Sequence, residues 1–153
     1  LMGRASDSYI VLDLIMGQWE AAERETVITQ TLAADKATYR HVVTYVEQEP
    51  GSGGKESAEN TIRRNPGYPV FADKPTGDKA TRAEPFAAQA GIGNVKLLAR
   101  PWNGRYLEML TAFPKGTVKD AVDASSGGFS YLAHFGTSLP PTAKLEQSSK
   151  WRL

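Results

Sequence analysis

Two short segments of the sequence combine acidic side chains with the pattern of a strand or a helix. In the first, residues 39–49, alternation along a strand would put Tyr45, Glu47 and Glu49 on one face. Charged groups near a strand end normally contact solvent, a cation or a metal. A metal-binding pair and ordinary polar strand-end residues are therefore both open, and the local pattern favours the second.

The second acidic segment is residues 119–124, where Asp120 and Asp123 are three residues apart and would share a helical face. Carboxylates in a first turn also stabilise a helix through its dipole, so a structural role is open here too. Together with Glu47, these acids supply the oxygen ligands that Mg²⁺ prefers. Two such ions about 4 Å apart activate a water and stabilise the leaving oxygen in phosphodiester cleavage.

A glycine-rich segment, residues 51–57, lies between a predicted strand and a predicted helix. A phosphate-binding loop needs a glycine five residues before the Gly-Lys pair and Ser or Thr directly after the lysine. Glu49 and Glu56 occupy those two positions, where carboxylates would repel phosphates. The segment is therefore interpreted as a turn that resets the chain direction.

Three cations, Lys74, Lys79 and Arg82, lie within nine residues beside a predicted turn. Cations at a helix N-terminus oppose the helix dipole. That placement favours phosphate contacts over a solvated helix start. Asp78 or Thr81 is predicted to cap the helix that follows.

Strand-like and helix-like segments alternate along the chain after an antiparallel hairpin, which predicts an α/β domain with a mixed sheet. The Ser-, Pro- and Lys-rich end of the chain is interpreted as a tail, so the predicted boundaries are 1–135 for the domain and 136–153 for the tail. Strands are predicted at 9–15, 39–49, 68–72 and 95–98, and helices at 20–34, 55–64, 81–90, 102–113 and 118–132.

Composition excludes several classes of function. The chain has 153 residues and no cysteine, which removes disulfides, thiol catalysis and cysteine-based zinc sites. No apolar run reaches the ~18 residues of a membrane span, so no membrane partner is predicted. Residues 1–60 hold 5 Lys/Arg against 10 Asp/Glu, whereas residues 61–153 hold 13 against 7. This split fits either a protein that binds metal and a polyanion or ordinary surface scatter.

Four runs in the sequence resemble one known family by their order and spacing. They are VEQEPGSGGK from Val46, PTGDKATRAEPF from Pro75, VKLLARPW from Val95 and VKDAVDAS from Val118. Together they resemble the C-terminal nuclease domain of tailed-bacteriophage large terminase subunits, over residues 1–135. The resemblance implies an RNase H-like mixed sheet flanked by helices. It also implies cleavage of double-stranded DNA concatemers during genome packaging, with Mg²⁺ or Mn²⁺.

The resemblance also implies site residues. The family's second acid maps onto Glu47, with Glu49 as its neighbour, and its third acid maps onto Asp120, with Asp123 close by. Lys79 and Arg82 match the family's basic motif and would face DNA or the metal site. Apart from the resemblance, three further cations are candidates for phosphate contacts; they are Lys74, Arg100 and Arg105. The implied partners are double-stranded DNA, the packaging ATPase domain of the same full-length protein, the small terminase subunit and the portal. The implied location is the cytoplasm of the bacterial host.

The sequence departs from the family pattern at two places. The family's first strand and its aspartate are expected to be missing before the predicted hairpin, and neither Asp7 nor Asp13 is assigned that role. The histidine and second aspartate that many relatives carry before the last acid are replaced here by Val118 and Lys119. A lysine beside Asp120 favours the charged carboxylate but weakens any extra coordination there.

The leading hypothesis is a two-metal-ion DNA endonuclease in which Glu47 and Asp120 bind metal, helped by Asp123 and Glu49, and a metal-activated water is the nucleophile. Two alternatives remain open. One is an inactive fragment that serves as a docking module of the packaging machine. The other is a different RNase H-like nuclease, of the resolvase or integrase type.

Overall fold

The computed structural model describes residues 1–135, which form five strands and five helices. The strands are β1 (Met2–Ala5), β2 (Ser8–Val11), β3 (Thr44–Glu47), β4 (Val70–Asp73) and β5 (Val95–Leu97). The helices are α1 (Ala21–Thr38), α2 (Ser52–Arg64), α3 (Lys79–Gly91), α4 (Asn103–Ala112) and α5 (Asp120–Phe135). These elements belong to two compact units, which we call the hairpin unit (Leu1–Leu14 and the chain from Asp78 onward) and the middle unit (Ile15–Gly77).

The hairpin unit contains a three-stranded mixed sheet in the order β1-β2-β5. β1 and β2 pair antiparallel through a two-residue turn, in which Ser6 has a φ of 51°. β2 then pairs parallel with β5, with Tyr9 opposite Val95. The predicted mixed α/β architecture, with its antiparallel start, is confirmed.

The core of the hairpin unit is aromatic. Tyr9 on β2 packs against Phe129 on α5 with ring centroids 4.6 Å apart, and Phe86 on α3 lies 6.1 Å from Phe129. All three side chains are buried, and Met2 and Val95 pack around them. The core therefore fixes α3 and α5 on the sheet.

α4 and α5 are joined by a buried polar contact. The Tyr106 side chain is fully buried, and its hydroxyl lies 2.7 Å from Ser125 Oγ. Since Ser125 donates to the Ala121 carbonyl at 2.6 Å, the tyrosine hydroxyl is the donor in the first bond. The indole of Trp102 meets the Tyr106 ring edge-on at 5.8 Å.

The middle unit pairs β3 and β4 in parallel, with Tyr45 opposite Phe71. Its two helices are connected by side-chain hydrogen bonds. Thr61 on α2 donates to the buried Glu25 carboxylate on α1 at 2.9 Å, and Thr29 donates to the Asn65 side chain at 2.8 Å. Polar contacts thus align α1 with α2 in this unit.

Several element boundaries differ from the prediction, and the strand predicted over 9–15 already ends at Val11. The strand predicted over 39–49 begins only at Thr44, because α1 continues to Thr38 and the Tyr39 amide still donates to the Asp35 carbonyl at 2.8 Å. The glycine-rich segment is not a free turn, because α2 begins at Ser52 and includes two of its glycines. Only Gly51, at a φ of 95°, has the positive-φ turn conformation there.

The predicted tail, 136–153, lies outside the described residues, and the predicted domain boundary stays a prediction. Among the helices of the described part, none combines the length and apolar character needed to cross a membrane.

We expect Tyr106→Phe to lower the free energy of unfolding by about 1 kcal/mol, because Ser125 loses a donor in a buried site. Urea unfolding measures this change. Tyr39→Phe, at a half-buried tyrosine outside the α4–α5 contact, serves as the control and should leave stability nearly unchanged. Equal effects of the two substitutions would contradict the proposed role of the buried bond.

The same tyrosine predicts a pH dependence. Burial raises the pKa of Tyr106 above its ordinary value of 10.0, so the folded chain holds this proton more tightly than the unfolded chain. The stability that protonated Tyr106 contributes is complete below the ordinary pKa of tyrosine. It is lost as the pH rises toward the raised pKa of the buried group. Wild-type protein should therefore lose more stability than Tyr106→Phe between about pH 9 and pH 11, as measured by urea unfolding at each pH.

Candidate functional site

The carboxyl ends of β3 and β4 bring two acids together in the middle unit. Glu47 and Asp73 are register partners in the parallel pair, and both are exposed. The ladder continues one step further, since the Gln48 amide donates to the Asp73 carbonyl at 2.7 Å. Sequence reasoning missed Asp73, although it closes an apolar strand just as Glu47 does. An acid at the end of an apolar strand is the sequence pattern that could have identified Asp73.

Lys74 directly follows β4, and Glu49 lies two residues after the end of β3. Both are exposed, and neither belongs to the strand that precedes it. The chain at Glu49 is tightly packed, because a Cβ added to Gly54 would overlap the Glu49 backbone carbonyl. Glycine at that position therefore lets the first turn of α2 approach the end of β3.

In the hairpin unit, α5 begins with two acids that differ in exposure. Asp120 is the first residue of the helix and is exposed. Asp123, also in the first turn, has a side chain that is only 9% exposed. The predicted location of both acids at the start of the last helix is confirmed, and both favour that helix end through its dipole.

Two cations of α3 contact Asp123. Arg82 Nη2 lies 3.1 Å from Asp123 Oδ1, and Lys79 Nζ pairs with Asp123 Oδ2. The Lys79 side chain is 46% exposed and the Arg82 side chain 25% exposed, so both still face solvent in part. Three residues predicted as site residues therefore form one cluster, which we call the Asp123 cluster (Lys79, Arg82 and Asp123).

The start of α3 is fixed by the predicted cap. Asp78 Oδ1 accepts from the Thr81 amide at 3.0 Å, and Oδ2 accepts from the Thr81 hydroxyl at 2.6 Å. These bonds to Thr81 lower the pKa of the Asp78 carboxyl below its ordinary value. The cap holds the first turn of the helix that carries Lys79 and Arg82.

The remaining basic candidates are exposed residues of the hairpin unit. Arg100 follows β5, and its amide donates to the Asn103 side chain at 3.2 Å. Arg105 lies on α4. The role of both residues in DNA binding stays a prediction.

A divalent cation requires several oxygen ligands that lie close together. Within residues 1–135, no group of three or more His, Asp or Glu side chains is placed to hold a metal ion. Glu47 with Asp73, and Asp120, do carry the exposed carboxylate oxygens that suit a hard cation. Both oxygens of Asp123 already contact cations. The exposed acids thus offer the donor type that a hard cation prefers, although the described residues do not gather three of them at one place.

The predicted site residues divide between the two units. Glu47, Glu49 and Lys74 belong to the middle unit, and the other candidates belong to the hairpin unit. Within the hairpin unit, the structure brings Lys79 and Arg82 together with Asp123. Within the middle unit, it brings Glu47 together with Asp73.

Comparison with known proteins gives one match. The family model described as the terminase RNaseH-like domain matches residues 18–132. No curated protein and no solved structure matches the chain significantly.

We expect Asp78→Ala to loosen the first turn of α3, because the Thr81 amide and hydroxyl both lose their acceptor. Hydrogen exchange of the Thr81 amide should then become several-fold faster. Glu84→Ala, at an exposed acid of the same helix, is the matched control and should leave that amide protected. Unchanged exchange in Asp78→Ala would show that the cap does not hold this turn.

Proposed function

The chain belongs to the terminase RNase H-like domain family, and we propose that it cleaves double-stranded DNA with the help of divalent cations. Family membership supports a nuclease role in phage genome packaging. One observation carries the finer proposal. The first turns of α3 and α5 are held together by the Asp123 cluster, and the exposed carboxylate of Asp120 is in the same turn of α5 as Asp123. The first turns of α3 and α5 thus carry both basic groups suited to phosphate and an acid suited to a metal.

We propose Glu47 and Asp120 as carboxylate ligands of the divalent cations, Mg²⁺ or Mn²⁺. Asp73 and Glu49 are further carboxylates beside Glu47 in the middle unit. When bound, such a cation activates a water molecule and neutralises charge that develops on the phosphate. These acids are exposed and lie at or just after the ends of strands, or at the start of a helix. They can therefore bind an ion without a rearrangement of the buried core.

The basic side chains are proposed to hold the DNA backbone. Lys79 and Arg82 would contact phosphates near the acids of α5, since both remain partly exposed beside Asp123. Such contacts orient the duplex without reading its sequence. Three further exposed cations are also proposed to contact phosphates; they are Lys74, Arg100 and Arg105.

The wider setting follows from the family and is likewise proposed. The partners are the packaging ATPase domain of the same full-length protein, the small terminase subunit and the portal, and the location is the host cytoplasm. The family match does not favour the docking-module or resolvase alternatives.

We expect Asp120→Ala to lower the rate of Mn²⁺-dependent nicking of supercoiled plasmid at least about 100-fold, because a metal ligand is removed. The measurement uses the 153-residue chain, with a chelator as the metal-free control. Glu108→Ala, at an exposed acid of α4, is the matched control and should cleave normally. Equal rates for Asp120→Ala and wild type would contradict the role of Asp120, and no metal-dependent nicking by wild type would contradict the proposed activity of this chain.

DNA affinity should fall with salt in proportion to the phosphate contacts. Lys79→Ala and Arg82→Ala are each expected to make the log–log salt slope shallower by about 0.9, because each removes one phosphate contact. Fluorescence anisotropy with a labelled duplex in Ca²⁺, across a salt series, measures the slope. Lys115→Ala removes an exposed lysine outside the cluster and should leave the slope unchanged. If Lys115→Ala changes the slope as much as the other two, the cluster is not the phosphate contact.

A further inference from the structure

We propose that Asp123 is a positioning residue, which organises Lys79 and Arg82 into a two-pronged phosphate grip, and that it is not a metal ligand. This inference rests on the proposed function, because the grip acts on the DNA that the chain would cleave. It separates the two acids of α5 into different roles, with Asp120 left for the metal.

The contacts of Asp123 support this separation. One carboxylate oxygen accepts from Arg82 at 3.1 Å and the other pairs with Lys79, so each oxygen already has a cationic partner. A divalent ion at Asp123 would have to displace or share both cations, and it would be repelled by them. The side chain is also only 9% exposed, whereas Asp120, three residues earlier, is exposed.

The pairing has a clear use for phosphate binding. Two cations that converge on one phosphate repel each other, and both are long, flexible side chains that lose conformational freedom when they bind. A carboxylate between them offsets the repulsion and fixes both before DNA arrives. Both side chains remain partly exposed beside Asp123, where a phosphate can reach them.

Exposure of the two cations agrees with this arrangement. Both side chains reach solvent, with 46% of Lys79 and 25% of Arg82 exposed, although the Asp123 carboxylate that both contact is nearly buried. The Asp78 cap also fixes the first turn of α3, through its two bonds to Thr81. The cap therefore fixes the backbone of this turn, and Asp123 fixes the charged ends of Lys79 and Arg82.

The decisive variant is Asp123→Asn, tested for duplex binding in Ca²⁺ by anisotropy across a salt series. Loss of positioning predicts about tenfold weaker binding and a slope that is shallower by about 1 to 2, because one or both phosphate contacts are lost. Removal of a negative charge without positioning predicts the opposite result, with tighter binding and a steeper slope. The sign of the change thus separates the two explanations.

Two further measurements complete the test. In the Lys79→Ala/Arg82→Ala background, Asp123→Asn should change DNA affinity less than twofold, because the residues through which it acts are gone. Calorimetry should show Mn²⁺ affinity within about twofold of wild type for Asp123→Asn and at least about tenfold weaker for Asp120→Asn. If Asp123→Asn fails to fold, Asp123→Glu, which keeps the charge on a longer side chain, replaces it in both experiments and should show a partial loss of affinity with normal Mn²⁺ binding.

The outcomes distinguish this inference from the function on which it rests. Tighter binding by Asp123→Asn, an undiminished effect in the double-alanine background, or loss of Mn²⁺ binding equal to that of Asp120→Asn would each overturn the positioning role alone. Absence of salt-dependent DNA binding by the wild-type chain would overturn the proposed function and the grip together.

Discussion

The carboxylate of Asp123 constrains how two helices of the hairpin unit are arranged. It joins α3 to α5 at their first turns, while Phe86 and Phe129 join the same helices within the core. A nearly buried charge is stable only if it is paired, so the Asp123 carboxylate depends on its two cationic partners. The polar contact and the aromatic contact thus fix the two helices at two separate points.

Local patterns in the sequence were enough to predict the features that depend on near neighbours. The cap at Asp78 and the acids at the start of α5 were predicted because capping and dipole effects act within one turn. The initial hairpin was predicted because its turn lies between two short strand-like segments. The order of strands and helices also followed from alternation along the chain.

Contacts between distant residues could not be predicted in the same way. Asp123 lies 44 residues from Lys79 and 41 from Arg82, and no spacing rule connects them. The pairing of Glu47 with Asp73 depends on the register of two strands, which side-chain packing decides. The late start of β3 and the early start of α2 are a different case, because α1 continues to Thr38 and α2 includes two glycines despite the weak helix preference of glycine.

Gly54 has a consequence for how this sequence can vary. It makes no polar side-chain contact and lies in a helix, where alanine is normally an improvement. Here even a methyl group would overlap the Glu49 carbonyl and displace the end of the strand that carries Glu47. Natural drift or a saturation library should therefore accept many residues at Gly53, where an added Cβ meets nothing within 4 Å, and reject nearly all at its neighbour. Two adjacent glycines that look equivalent in the sequence are therefore constrained very differently, because only Gly54 has to remain glycine.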